Sequence, residues 1–196
     1  MKARIEYATI QIPFPGEDSC GDLAFVKEFN NHIILCLIDV AGHGVIAEKR
    51  ATEILSVLEE NYKLNLESLM FCLQRDAMKK RGFVVGMSLV NIATGLIQYM
   101  SLGNISCRIF GLQEYRFVSR EGVMGVSQIK PIFQSYFLNN NDILMMYTDG
   151  ISNRFQLSDY PEMLSDDIQA IPNNIATKFT KETDDASCIV MRYHYD

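Results

Sequence analysis

The stretch HIILCLIDVAGHG, residues 32–44, decides how the rest of the chain is read. An apolar run of strand length ends in Asp39, and two glycines then flank His43. An acid at the end of a buried strand is held where it can face a cleft, and glycines beside it let another group approach the backbone closely. The stretch therefore predicts a strand that delivers a carboxylate to a site.

Upstream, IEYATIQI alternates polar with apolar residues and predicts a half-buried strand, followed by the loop PFPGEDSCG. LAFVKEF then predicts a second strand, joined to HIILCLID by a short turn at Asn30 and Asn31. Downstream, Ala47, Ala51, Leu55, Leu58 and Tyr62 recur at helical spacing from Ile46 onward, with Glu48, Lys49, Arg50, Glu59 and Glu60 expected for the most part to face away. A second helix is predicted from an N-cap at Asn65 to a basic stop at Lys79, Lys80, Arg81 and Gly82, where cations compensate the helix dipole.

FVVGMSLVNI, GLIQYMSL, ISCRIFGL, YRFVS, IFQSYFL and DILMMYTD follow as strand candidates, separated by short loops that join antiparallel neighbours and by a longer loop around 122–130. The G-x-x-G pattern in SREGVMGVSQIK reads as a turn. LSDYPEMLSDDIQAI and NNIATKF predict helices, and ASCIVMRYHY a last strand. Grouped strands with helices before and after predict two packed sheets with helices outside, in one domain spanning residues 1–196.

Composition removes several function classes. A 48% hydrophobic and 21% charged share is that of a folded globular chain. The net charge of -6, without a long basic run, argues against nucleic acid as a partner. Five scattered cysteines without a C-x-x-C pair read as free thiols rather than a disulfide framework or a zinc site. No run reaches the ~20 apolar residues of a membrane span, and the first residues lack the apolar core of a secretory signal. A cytoplasmic protein without a membrane partner is expected. Met145 and Met146 read as core filler.

The chemistry lies in acids at strand ends: Asp22, Asp39, Asp149 before Gly150, and Asp184 with Asp185. One such aspartate is ordinarily a solvated turn residue. Should the fold bring them together, like charges would raise one another's pKa unless a cation neutralised them. An all-oxygen donor set favours Mg2+ or Mn2+ over zinc or copper, and four carboxylates suffice for two ions.

The ordered set SCGD, DVAGHG, YTDGI and DDAS, running from Ser19 to Ser187, closely resembles the metal-dependent protein phosphatase family (PPM, protein phosphatase 2C-like) in its SpoIIE branch. The resemblance implies a four-layer α-β-β-α sandwich, in the α+β class, of two mainly antiparallel sheets with a metal pair at one edge. It implies that Asp39 bridges two divalent metals, Mn2+ or Mg2+, that Asp22 and the backbone carbonyl of Val40 complete one site, and that Asp149 and Asp184 hold the other. Gly150 would let the chain turn away from Asp149, and Asp185 would support the ligands from behind. The implied reaction is attack of a metal-bridged water on phosphoserine or phosphothreonine.

Implied partners are phosphorylated STAS-domain proteins of the stressosome or anti-sigma antagonist type; the competing reading is a silent relative that binds such a protein without hydrolysing it. Animal-type relatives carry a histidine where this chain has Ala41, so His43 inherits no role: turn geometry, phosphate contact and proton donation stay open. In the same branch the two helices after DVAGHG act as a switch, a role that would fall on residues 46–80.

Overall fold

The strand predicted from HIILCLID is β3 (His32–Val40), and it shows why an antiparallel strand can be apolar throughout. Side chains alternate between the two faces of a strand. Ile33, Leu35 and Leu37 enter one core cluster, and Ile34, Cys36, Ile38 and Val40 another. Both faces are covered, so neither can be polar.

The computed structural model describes residues 3–126, 131–153 and 167–195. The chain runs β1 (Ala3–Ile12), β2 (Asp22–Phe29), β3, α1 (Gly44–Asn61), α2 (Leu66–Ala77), β4 (Phe83–Asn91), β5 (Leu96–Leu102), β6 (Ser106–Phe110), β7 (Tyr115–Arg116), β8 (Ile132–Phe137), β9 (Ile143–Tyr147), α3 (Ile171–Phe179) and β10 (Ala186–Tyr195). One sheet has the order β1-β10-β9-β6-β7 and the other β2-β3-β4-β5-β8. Every named ladder is antiparallel.

Three apolar layers separate the four layers of backbone. The central one joins the sheets through Leu35, Leu37, Tyr99, Ile105, Leu144 and Ile189, among others. A second lies under α1 and α2, with Ile54, Leu58, Leu69 and Leu73 against Ile34, Cys36 and Met87. The third places Ile171 and Ile175 of α3 on Met145, Cys188 and Val190. The predicted α-β-β-α sandwich is what the chain forms. Among the described residues, no helix is long and apolar enough to cross a membrane.

Local chemistry accounts for most of the joints. Asn30 and Asn31 both take positive φ, 44° and 62°, which is the geometry of a tight hairpin turn. Asn65 caps α2 by accepting the Ser68 N–H at 2.8 Å. Met145 and Met146 are buried, and all five cysteines are free.

Four expectations need correction. Arg50 does not face away: it is 4% exposed, and its guanidinium reaches Asp76 at 2.6 Å, Glu53 at 3.0 Å and the Arg81 carbonyl at 3.2 Å. A helical position that looks polar by periodicity is buried because its charge finds partners there. The short Gly103–Asn104 loop does not join neighbours; it carries the chain from β5 in one sheet to β6 in the other. YRFVS contributes only Tyr115–Arg116 as strand. In the basic stop after α2, Lys80 pairs with Asp76 and Glu53, whereas Arg81 extends to the Ala41 carbonyl at 2.5 Å instead of neutralising the helix end. Most of the expected helix LSDYPEMLSDDIQAI, and the end of the G-x-x-G loop, lie outside the described residues; Asp167–Ala170 precede α3 as loop and turn.

Candidate active site

Asp22 opens β2 and Asp39 nearly ends β3, and the two are direct cross-strand partners. Residues opposite each other in an antiparallel pair project to the same face. On β3 that face carries Ile33, Leu35 and Leu37, and on β2 it carries Ala24 and Val26, so both carboxylates project between the sheets at one edge. The opposite sheet brings Thr148, just after β9, and Ser187 of β10 to the same edge. Thr148 Oγ1 donates to Asp22 Oδ2 at 2.8 Å and accepts the Ser187 N–H at 2.9 Å. Hydrogen bonds thus tie the two sheets where the acids lie.

Asp149 follows Thr148 in the turn after β9. Asn104 donates to its Oδ2 at 2.8 Å, and Lys181 Nζ donates to its backbone carbonyl at 2.6 Å. Asp184 and Asp185 precede β10, and the Asp184 carboxylate accepts the Asp185 N–H at 2.9 Å. Asp185 is buried and accepts the Phe14 and Gly21 N–H groups, each at 2.7 Å. Its carboxylate is committed to backbone donors on the β1–β2 loop, so it anchors that loop.

Gly150 is required by close approach: a Cβ there would lie 1.9 Å from the Asp185 carbonyl oxygen. Gly42 and Gly44 have φ of +81° and +78°, and a Cβ on them would stand 2.8 Å from Arg81 Nη1 and 2.7 Å from Glu17 Oε2. The glycines around His43 make room for one cation and one acid.

The electrostatics show that these acids feel one another. Burial raises the Asp39 pKa from 3.8 to about 7, with added repulsion from Asp149, Asp184 and Asp185. Burial also pushes Asp22 well above the ordinary range, and Asp39 adds to this, while the Thr148 and Ser187 hydroxyls pull the other way. Ser187 Oγ is close enough to Asp22 to exert that pull, yet it is buried without a hydrogen-bond partner of good geometry. Asp149 is raised by burial and by Asp184, against the opposing charge of Lys181.

Among the described residues no three acidic, histidine or cysteine side chains already converge as a finished ligand set. What they form is a half-buried group of like charges with free oxygen donors at one edge. That donor set fits hard divalent cations, which would remove the repulsion. Val40 presents its backbone at the same edge, bonded through its N–H to the Gly21 carbonyl at 3.4 Å.

His43 stands just before α1 as its N-cap residue but makes no side-chain capping bond. Its ring stacks on Phe14, and Nδ1 contacts Glu17 Oε1 at 2.6 Å. The sequence reading missed Glu17, Thr148, Asn104, Lys181 and Arg81. Only Thr148 and Lys181 carried a signal, as close neighbours of Asp149 and Asp184 in the chain.

Comparison with known proteins agrees with this fold. The sequence matches the Stage II sporulation protein E (SpoIIE) family over residues 30–194. Phosphoserine phosphatase RsbX of Bacillus subtilis (strain 168) is 25% identical over 101 residues, 52% of this chain and 51% of RsbX. The match therefore spans about half the length of that relative. A solved chain from the bacterial stressosome, described as a modular system adapted to control secondary messenger signaling, superimposes with a TM-score of 0.85 at 24% identity, over 98% of this chain and 100% of that one. RsbX in complex with magnesium gives a TM-score of 0.82 at 20% identity, over 96% and 95%. At such identities the structural likeness establishes the fold, and the family match extends from the turn before β3 to the end of β10. The chain belongs to the SpoIIE branch of the PPM phosphatase family.

Proposed function

We propose that this chain is a metal-dependent protein serine/threonine phosphatase that removes phosphate from phosphoserine or phosphothreonine on a bacterial signalling protein. The observation that carries this reading is the pairing of Asp22 with Asp39 across β2 and β3, with Thr148 of the facing sheet bonded to Asp22, at an edge where Asp149, Asp184 and Asp185 also bear on the half-buried Asp39. A fold that gathers like charges at a half-buried edge, against their own repulsion, is arranged for a cationic cofactor. Asp22, Asp39, the Val40 carbonyl, Asp149 and Asp184 would hold two ions, Mn2+ or Mg2+, with Asp39 between them. When bound, such a pair supplies an acidified water as nucleophile and neutralises charge on the phosphoryl oxygens.

The protein's own groups prepare the site. Thr148 holds Oδ2 of Asp22. Asn104 orients Asp149, and Lys181 fixes the backbone of the same turn. Asp185 holds the β1–β2 loop against the edge. His43, four residues after Asp39, would contact the phosphate or the departing oxygen.

The magnesium-bound RsbX structure and the stressosome chain support this reading by likeness, and they favour a phosphorylated STAS-domain protein of the stressosome or anti-sigma antagonist type as substrate. The test is to incubate the protein with such phosphoproteins and Mn2+ and follow phosphate release. Turnover that Asp39→Asn and Asp149→Asn each abolish is expected. Binding of the phosphoprotein without release would refute the reading and leave a silent relative.

A further inference from the structure

The two halves of the acidic edge differ by one cation. Asp22 and Asp149 each carry a neutral donor on Oδ2, Thr148 at 2.8 Å on the first and Asn104 at 2.8 Å on the second. The charges that bear on Asp22 and Asp39 are other acids, and among the described residues neither carboxylate is paired with a lysine or arginine. Asp149 differs. Lys181 Nζ donates to its backbone carbonyl at 2.6 Å, and the ammonium charge acts on its carboxylate against burial and the repulsion of Asp184.

Backbone pairing sets the place of this ammonium. The Lys181 N–H donates to the Gly150 carbonyl at 2.7 Å, the Ser152 N–H donates to the Phe179 carbonyl at 2.8 Å, and Ile151 and Thr180 form an antiparallel bridge. Residues 150–152 and 179–181 are thus zipped together with Lys181 at the end nearest Asp149, and Asp184 follows in the turn that leads to β10. A positive charge fixed beside a cation's ligands takes away part of that cation's attraction. We propose that Lys181 is a resident counter-charge that weakens the ion held by Asp149 and Asp184 relative to the ion held by Asp22, Asp39 and the Val40 carbonyl, so that the two ions load in a fixed order. This rests on the two-ion reading above. The Asp22 side, which has no competing cation, fills first, and the doubly loaded state then follows the free metal concentration.

The test is calorimetric titration of the full chain with Mn2+, in wild type, Lys181→Gln and Lys181→Arg. Wild type should show two binding steps. Lys181→Gln keeps a donor and removes the charge, so the weaker step should tighten about tenfold at low salt while the stronger step changes by less than about threefold. Lys181 is exposed, so in about 1 M KCl screening should reduce the tightening to less than about threefold. Lys181→Arg should bind as wild type does. A weaker step that is unchanged or loosened in Lys181→Gln would show Lys181 to be only a clasp on the turn after β9, and would overturn the proposal. A second readout uses wild type alone: in amide NMR spectra titrated with Mg2+, the Asp22 and Val40 signals should move with the first equivalent, and the Asp149 and Gly150 signals with the second. The reverse order, or movement together, would overturn the proposal even if the variants fail to fold. A wild type that binds no ion would instead remove the reading of this edge as a metal site, and the proposal with it.

Discussion

Replacing Asp39 with asparagine should make the metal-free protein more stable, and only at high pH. Asp39 is held at a pKa of about 7 against 3.8 for an ordinary aspartate, so the folded chain binds its proton more tightly than the unfolded chain. A carboxyl group with a raised folded pKa lowers stability as pH climbs above the unfolded value, and the loss is complete once pH passes the folded value. At about 1.4 kcal/mol per tenfold change in proton affinity, the ionised group costs the fold roughly 4 kcal/mol at pH 8 and about 0.5 kcal/mol at pH 4. Asparagine has nearly the same shape and no charge, so it relieves most of that cost.

For a domain of this size each kcal/mol moves the melting temperature by about 2–4 °C. Thermal melts of wild type and Asp39→Asn in chelator should therefore differ by up to roughly 8–16 °C at pH 8, variant above wild type, and by about 1–2 °C at pH 4. Equal melting temperatures at pH 8, or a variant that melts lower there, would show that neither burial nor the neighbouring carboxylates penalise the Asp39 charge in the folded chain. The argument for a cation site would then fall.

Metal binding should displace protons from the same group: calorimetry in buffers of different ionisation enthalpy should find about one more proton released on Mn2+ binding at pH 6 than at pH 8. Gly150→Ala would drive a methyl group into the Asp185 carbonyl, so a loss of about 1–3 kcal/mol in urea unfolding is expected, together with weaker Mn2+ binding; unchanged stability would refute the close contact. Arg50→Met removes the donor to the Arg81 carbonyl and the buried partner of Asp76, which keeps Lys80, so roughly 2–3 kcal/mol should be lost by chemical denaturation. A change within a few tenths of a kcal/mol would mean that the Arg50 network adds nothing to the α1–α2 junction.

The sequence by itself determined the elements whose causes are local. Alternation along IEYATIQI, the two asparagines before His32, the Asn65 cap and the apolar spacing of the first two helices each act within a few residues, and each is found in the fold. It also determined that Asp22 and Asp39 would stand at the ends of apolar runs, because a carboxylate is costly within a run that is covered on both faces. Only the tertiary structure decided which groups meet. The Asp22–Asp39 register, the passage of residues 103–104 between the sheets, the burial of Arg50 and the reach of Glu17 to His43 join positions far apart in the chain. No periodicity encodes such pairs, since each is settled by how two sheets and two helices stack while burying the same apolar faces. The side chains at their common edge then meet because the layers leave them nowhere else to point.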